Sequence, residues 1–169
     1  MAKAGFNLDA FISKNADYAR GYTFYINVNS TWVQGEEQRF LVRTSSLPAS
    51  TIDPAEVNWQ GNVYKIGTTQ VFSEFTVTYS VDVGDNIRKN YMEWMNVIHD
   101  PKTNEHGNPD EYMFDIDLEH ISHQTGDTIM TYKLIKAWPS AVGELALDYA
   151  AKDTATFDVT FTYQYHTTD

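Results

Sequence analysis

Strict alternation of apolar and polar residues is the strongest signal along this chain. From Thr154 to His166 the odd positions read Ala155, Phe157, Val159, Phe161, Tyr163 and Tyr165, with Thr, Asp, Gln and His between them. A period of two places one set of side chains on one face of a strand, and no helix distributes apolar residues this way. The abundant Thr also favours the pleated backbone. Phe75, Val77, Tyr79 and Val81 alternate in the same manner with Thr76, Thr78, Ser80 and Asp82. Tyr112, Phe114, Ile116 and Leu118 do so with Met113, Asp115, Asp117 and Glu119. Shorter runs at Tyr22–Val28, Arg39–Thr44 and Ile129–Ala137 read as further strands. The pattern predicts a mainly β fold, an antiparallel sandwich or barrel-like sheet.

One helix interrupts the strands. Ile87, Tyr91, Trp94, Met95 and Ile98 fall on one apolar stripe, Arg88, Lys89, Glu93 and Asn96 take the other faces, and Pro101 lies just past the end. Asp85 stands where an N-cap is needed. A second, weaker helical stretch runs from about Leu8 to Tyr18, with Leu8, Phe11 and Ile12 on one side. Both read as lids on the sheet. Ile52–Phe72 carries Val57, Trp59, Val63, Tyr64 and Ile66 around Gln60-Gly61-Asn62, residues that tolerate a hairpin turn. It is expected to be a long, partly exposed, projecting hairpin. Isolated hairpins are marginal in water, so this one needs something to pair with. Asp100–Asp110 reads as a polar loop. With no internal repeat or linker, residues 1–169 are expected to form a single domain.

Composition narrows the functional classes. An apolar content of 42% allows a sizeable core, while the formal net charge of −11 argues against a chain that grips a phosphate backbone through Lys and Arg. There is no cysteine, which removes thiolate catalysis and disulfide frameworks and argues against the common structural zinc sites. Asn7 and Asp9 break the apolar character of the N-terminus, so no secretory signal is expected, and no apolar run is long enough to cross a bilayer.

Candidate chemistry is sparse. His120 and His123 are three apart, which suits metal ligation on a helix but sets them on opposite faces of a strand. His99, His106 and His166 are scattered. Asp115, Asp117 and Glu119 share one strand face, preceded by Asp110 and Glu111, and are expected to face solvent or a basic partner on a neighbouring strand or subunit. Acid–base work needs a cleft and a raised pKa on one carboxyl. Asp100, Asn104, Asn108 and Asp110 lack the spacing of an EF-hand loop. No phosphate-binding glycine loop or nucleophile elbow is present. No catalytic, cofactor-binding or metal-binding residue is therefore assigned, and the chain is not read as an enzyme. A nucleic-acid module is disfavoured because the alternating aromatics lack a Lys and Arg stripe. Arg39, Arg43, Arg88 and Lys89 read as salt-bridge partners. A sugar-binding module would draw on Trp32, Trp59, Trp94 and Trp138, of which Trp94 and Trp138 look like core and Trp32 and Trp59 stay unplaced.

Specific residues add a family. Leu134-Ile135-Lys136-Ala137-Trp138-Pro139-Ser140-Ala141-Val142-Gly143-Glu144-Leu145-Ala146-Leu147-Asp148-Tyr149 resembles the end of the tail tube proteins of contractile-tailed bacteriophages, the myovirus tail tube family. There a Trp-Pro pair leads into Val-Gly-Glu-Leu, an acidic turn and a last alternating strand, which Thr154–Tyr165 matches. Arg43-Thr44-Ser45-Ser46-Leu47-Pro48-Ala49 resembles the family's strand running into a Leu-Pro turn before the hairpin. Phe75–Tyr79 followed by Arg88–Trp94 resembles its strand and helix. What the resemblance implies is a structural virion protein that self-assembles into stacked hexameric rings, the conduit for genome ejection and template for the contractile sheath. The implied partners are further copies of itself and the tail sheath, baseplate and tail terminator proteins, with DNA passing without specific binding. The implied location is the virion tail, after assembly in the host cytoplasm. The hairpin at about Asp53–Phe72 and the N-terminal arm are then the expected ring-to-ring contacts. The inner tube of a type VI secretion or extracellular contractile injection system is the alternative.

Overall fold

The computed structural model describes residues 21–33, 37–147 and 153–169. The helix expected over Leu8–Tyr18 and the N-terminal arm lie outside the described residues.

The alternating segments form the antiparallel strands they predict. The main sheet runs in the order β1 (Phe24–Val28), β6 (Phe114–Ile121), β7 (Thr128–Val142), β8 (Thr156–Thr162), β5 (Phe75–Ser80), β2 (Val42–Ser45), with β9 (Tyr165–Thr168) also paired to β7. A separate two-stranded sheet consists of β3 (Ser50–Trp59) and β4 (Asn62–Phe72). The strand expected at Arg39–Thr44 begins later. Glu37–Leu41 forms a one-turn helix, α1, and only Val42 onward enters the sheet.

β7 joins the two halves of the main sheet. Its first part pairs with β6 and β9, and Trp138 to Val142 pair with β8. The changeover comes at Lys136, whose φ of 52° lies in the left-handed region. A register shift on β6 coincides with it, and the Asp115 carboxylate accepts the Lys136 N–H at 3.1 Å. The extra residue reverses the phase of burial: Leu134 is buried before the bend, Ala137 and Pro139 after it. The partner chain follows. The single strand read over Thr154–His166 is two segments, β8 and β9, interrupted at Tyr163-Gln164 opposite the bend. Tyr165 consequently leaves the buried face. The Trp138-Pro139 pair is inside β7 and not at its end.

The inward faces share one core. Ile26, Val28, Ile116, Leu118 and Leu134 come from one half, and Phe75, Val77, Tyr79, Phe157, Val159 and Phe161 from the other. Helix α2 (Asn86–Ile98) covers them with Ile87, Tyr91 and Trp94, as its stripe predicts, although Met95 and Ile98 are only partly buried. Trp94 is fully buried, stacked on Trp32 at 5.7 Å, with its indole N–H donating to the Tyr112 carbonyl at 2.8 Å. The Tyr91 hydroxyl donates to that of Tyr79 at 2.9 Å.

The cap of α2 differs from the expectation. Asp85 adopts φ 51° and makes no side-chain cap bond; Asp82 instead accepts the Asn86 N–H at 2.8 Å. At φ 51° Asp85 lacks the extended backbone typical of an N-cap. Asp100–Asp110 is more ordered than a polar loop: His99 bridges to His106, and the Gly107 N–H donates to the Ile98 carbonyl at 3.2 Å. A Cβ on Gly107 would lie only 2.3 Å from the Val97 carbonyl oxygen, so glycine is required there. Pro109–Tyr112 then forms a short helix, α3, so the alternating run begins as a strand only at Phe114.

Candidate functional site

The hairpin β3–β4 is the most unusual surface. Its strands have ten and eleven residues, and among the described residues they pair only with each other. The turn residues with positive φ are Gln60 (47°) and Gly61 (84°), while Asn62 already belongs to β4. Two successive left-handed residues make the hairpin turn whose twist matches its strands. Trp59 opposes Asn62, Val57 opposes Tyr64 and Ala55 opposes Ile66, so these residues share one face. The other face has Glu56 opposite Lys65, an ion pair of 3.2 Å, and Asn58 opposite Val63. One face is therefore apolar, and none of the described residues covers it: Trp59 is 72% and Tyr64 67% exposed. Nearer the root, β4 bulges where Pro54 meets Gly67, and Thr68 donates to the Asp53 carbonyl at 2.7 Å. The root itself is anchored by Ser73 N–H to Ala49 O at 3.0 Å and by Phe72 against the His166 ring at 5.2 Å.

The residues singled out for chemistry are spread over the molecule. Asp115, Asp117 and Glu119 share the solvent face of β6, each with its own neighbour. Asp115 pairs with Lys133 at 3.7 Å, Asp117 accepts from Asn29 at 2.9 Å, and Glu119 from Asn27 at 3.5 Å. The expected basic partner is thus present for Asp115, and asparagine amides serve the other two. His120 sits in β6 opposite Phe24 and Met130, whereas His123 lies beyond the strand with its ring edge-on to Tyr22. His99 and His106 approach each other to 4.5 Å. Among the described residues no three His, Asp or Glu side chains converge as metal ligands.

The basic residues depart from the salt-bridge expectation. Arg39 donates to the Asn27 amide oxygen, Arg43 to Ser80 at 2.6 Å and Thr154 at 2.8 Å, and Lys89 to the Gly84 carbonyl at 2.9 Å. Arg88 Nε is buried without a hydrogen-bond partner. Arg39, Arg43 and Lys89 are thus bound to neutral oxygens of the subunit itself. The tryptophans divide. Trp94, Trp32 and Trp138 pack with Phe114 and Tyr112, and Trp59 alone stands at the hairpin tip. Sequence pattern located the hairpin but not which of its faces is apolar, because that depends on the register.

Residues 11–169 match the family described as phage tail tube protein. The chain belongs to the phage tail tube protein family. A tail tube protein of Serratia phage KSP90 is 31% identical over 118 residues, 69% of this chain. The aligned stretch spans 66% of that relative, just under two thirds of its length. Among solved structures, a chain of the PVC extracellular contractile injection system, in a structure of its sheath/tube terminator in the extended state, superposes with a TM-score of 0.71 at 17% identity. That likeness covers 91% of this chain and 98% of the other. A chain from the extended PVC sheath–tube complex gives 0.65 at 17% identity, over 95% and 96%. At these identities the likeness is one of fold. It extends to the mainly β, antiparallel architecture and to most of the chain.

Proposed function

We propose that this protein is a structural component of the virion tail, a single domain over 1–169 whose copies form hexameric rings that stack into the inner tube. The genome passes through the bore during ejection, and the outer surface is the template on which the contractile sheath polymerises. Baseplate and tail terminator proteins close the two ends, assembly takes place in the host cytoplasm, and the subunit performs no catalysis. The observation that carries this reading is the uncovered apolar face of the β3–β4 hairpin in a chain of the tail tube family. An apolar ribbon of this length is costly in water and gains its burial from a neighbouring subunit. Closed rings of head-to-tail contacts also use up the sheet edges that a monomer leaves open.

A second reading shares the fold: the inner tube of a type VI secretion or extracellular contractile injection system, which conducts protein. The structural likeness to chains of such particles favours keeping it, and the genes flanking the coding sequence discriminate the two. The test of assembly is negative-stain electron microscopy of the purified protein at rising concentration, beside a Trp59→Ser/Tyr64→Ser variant. Six-fold rings or hollow tubes are expected of the parent and monomers of the variant. Persistent monomers of the parent at every concentration count against self-assembly, and tubes of the variant count against the hairpin as its basis.

A further inference from the structure

His99 and His106 are separated along the chain, and the segment between them folds back so that they face each other. The backbone fixes this closing turn. The Asn104 N–H donates to the Asp100 carbonyl at 2.8 Å, with Asn104 itself at φ 58°. On either side of the histidine pair, the Asp100 N–H donates to the Glu105 carbonyl at 3.1 Å and the Gly107 N–H to the Ile98 carbonyl at 3.2 Å. The two histidines therefore form the non-hydrogen-bonded kind of antiparallel pair. In such a pair the opposed residues come closest and their side chains leave the ladder on the same side. The ring centroids lie 4.5 Å apart with 45° between the planes, and both residues are exposed to solvent.

That spacing is the one a shared metal ion requires. With metal–nitrogen bonds of about 2.0–2.1 Å at adjacent coordination positions, two imidazole rings have their centres roughly 4.5–5 Å apart. The tautomer of His99 is set as well. An amide oxygen only accepts, so the 3.1 Å contact between His99 Nε2 and Asn104 Oδ1 places the proton on Nε2 and leaves the Nδ1 lone pair free. Metal-ligating histidines donate their second ring nitrogen to an oxygen in this way. The turn carries Asp100 and Glu105 against Lys102, so the pair sits in a segment of net negative charge. The Lys102 N–H donates to Asp100 at 2.8 Å and holds that carboxyl below its ordinary value, which keeps it ionised.

We propose that His99, through Nδ1, and His106 form a two-histidine binding site for a divalent transition metal of the zinc, copper and nickel group, with water in the remaining positions. Imidazole donors suit these ions, whereas calcium and magnesium take oxygen ligands. Among the described residues no third His, Asp or Glu converges on the pair, so the site is open and its metal exchangeable. A bound ion ties the C-terminal end of α2 to the turn that follows it. The site belongs to the subunit and does not depend on the tube reading.

Calorimetric titration of Zn²⁺ into the untagged protein is expected to show one site per subunit, absent from His99→Gln and from His106→Gln. The double variant His120→Gln/His123→Gln is expected to titrate as the parent does. Asn104→Gly keeps the left-handed backbone accessible while removing the amide, and should weaken binding roughly 10-fold or more. With Cu²⁺ as the probe, electron paramagnetic resonance of the parent is expected to resolve two ligand nitrogens. That spectrum needs no variant, so the proposal stays open to refutation even where a substitution prevents folding. No Zn²⁺ binding below millimolar concentration, a titration that survives both single histidine substitutions, or a Cu²⁺ spectrum without paired nitrogens overturns the site. Unchanged affinity in Asn104→Gly overturns the assignment of Nδ1 as the ligand.

Discussion

The β5–β8 pair and the β3–β4 hairpin use the same alternating code with opposite outcomes. In the first, Phe75, Val77, Tyr79, Phe157, Val159 and Phe161 are sealed beneath α2. In the second, Val57, Trp59, Tyr64 and Ile66 lie on one face that the described residues leave exposed. The difference teaches that alternation specifies a face to be covered without specifying by what. One face is satisfied within the chain and contributes to folding. The other is left for assembly, so the two should respond differently to the same kind of substitution.

The largest expected effect is in the sealed region. Trp94→Ala removes a fully buried indole stacked between Trp32 and Tyr91, and should cost ~3–5 kcal/mol in urea unfolding of the monomer. A loss below ~1 kcal/mol would mean that α2 is not the lid. Next is Tyr91→Phe, which leaves the buried Tyr79 hydroxyl without its partner and should cost ~1–3 kcal/mol. Burial pushes the Tyr79 hydroxyl from 10.0 up to about 12 and raises that of Tyr91 as well. Because the folded state holds these protons more tightly, their contribution is fully present below pH about 10 and is lost as pH rises through about 12. Urea midpoints measured across that window should fall, and fall less in Tyr91→Phe; a flat profile would contradict the paired burial.

Smaller effects sharpen the comparison. Lys136→Gly relieves a left-handed backbone where β7 changes sheets and should gain roughly 0.5–1 kcal/mol after the added chain entropy of glycine. A loss on calorimetry would show that the lysine side chain holds the bend. Smallest of all in the monomer is Trp59→Ser with Tyr64→Ser, expected to change unfolding by no more than ~0.5 kcal/mol. The same pair should abolish rings. A large loss of monomer stability there would erase the contrast between the two regions.

Local pattern made the strands and the α2 stripe legible, since burial of Tyr91 and Trp94 and of Phe157, Val159 and Phe161 follows directly from spacing. It failed where a neighbour decides. Asp85 looked like the cap of α2, but its φ of 51° hands that role to Asp82. Thr154–His166 looked like one strand because nothing local announces the break at Tyr163-Gln164; the bend of β7 at Lys136 imposes it from across the ladder. Arg43 looked like an ion-pair partner, and the fold sets Ser80 and Thr154 beside it. For the candidate surface, the hairpin was visible as a segment, whereas its apolar face required the register of paired strands.

By itself, then, the sequence determined the class of fold, the helix that covers it, the exposed hairpin and, through the Trp-Pro and Val-Gly-Glu-Leu stretch, the family. Each is encoded within a few turns or strand pairs of contiguous residues. Only the tertiary structure decided that β7 serves both halves of the sheet and that Trp59 and Tyr64 share an exposed face. Period two tells which residues share a side of a single strand, but which strands become neighbours, and in what register, is set by contacts between residues far apart in the chain.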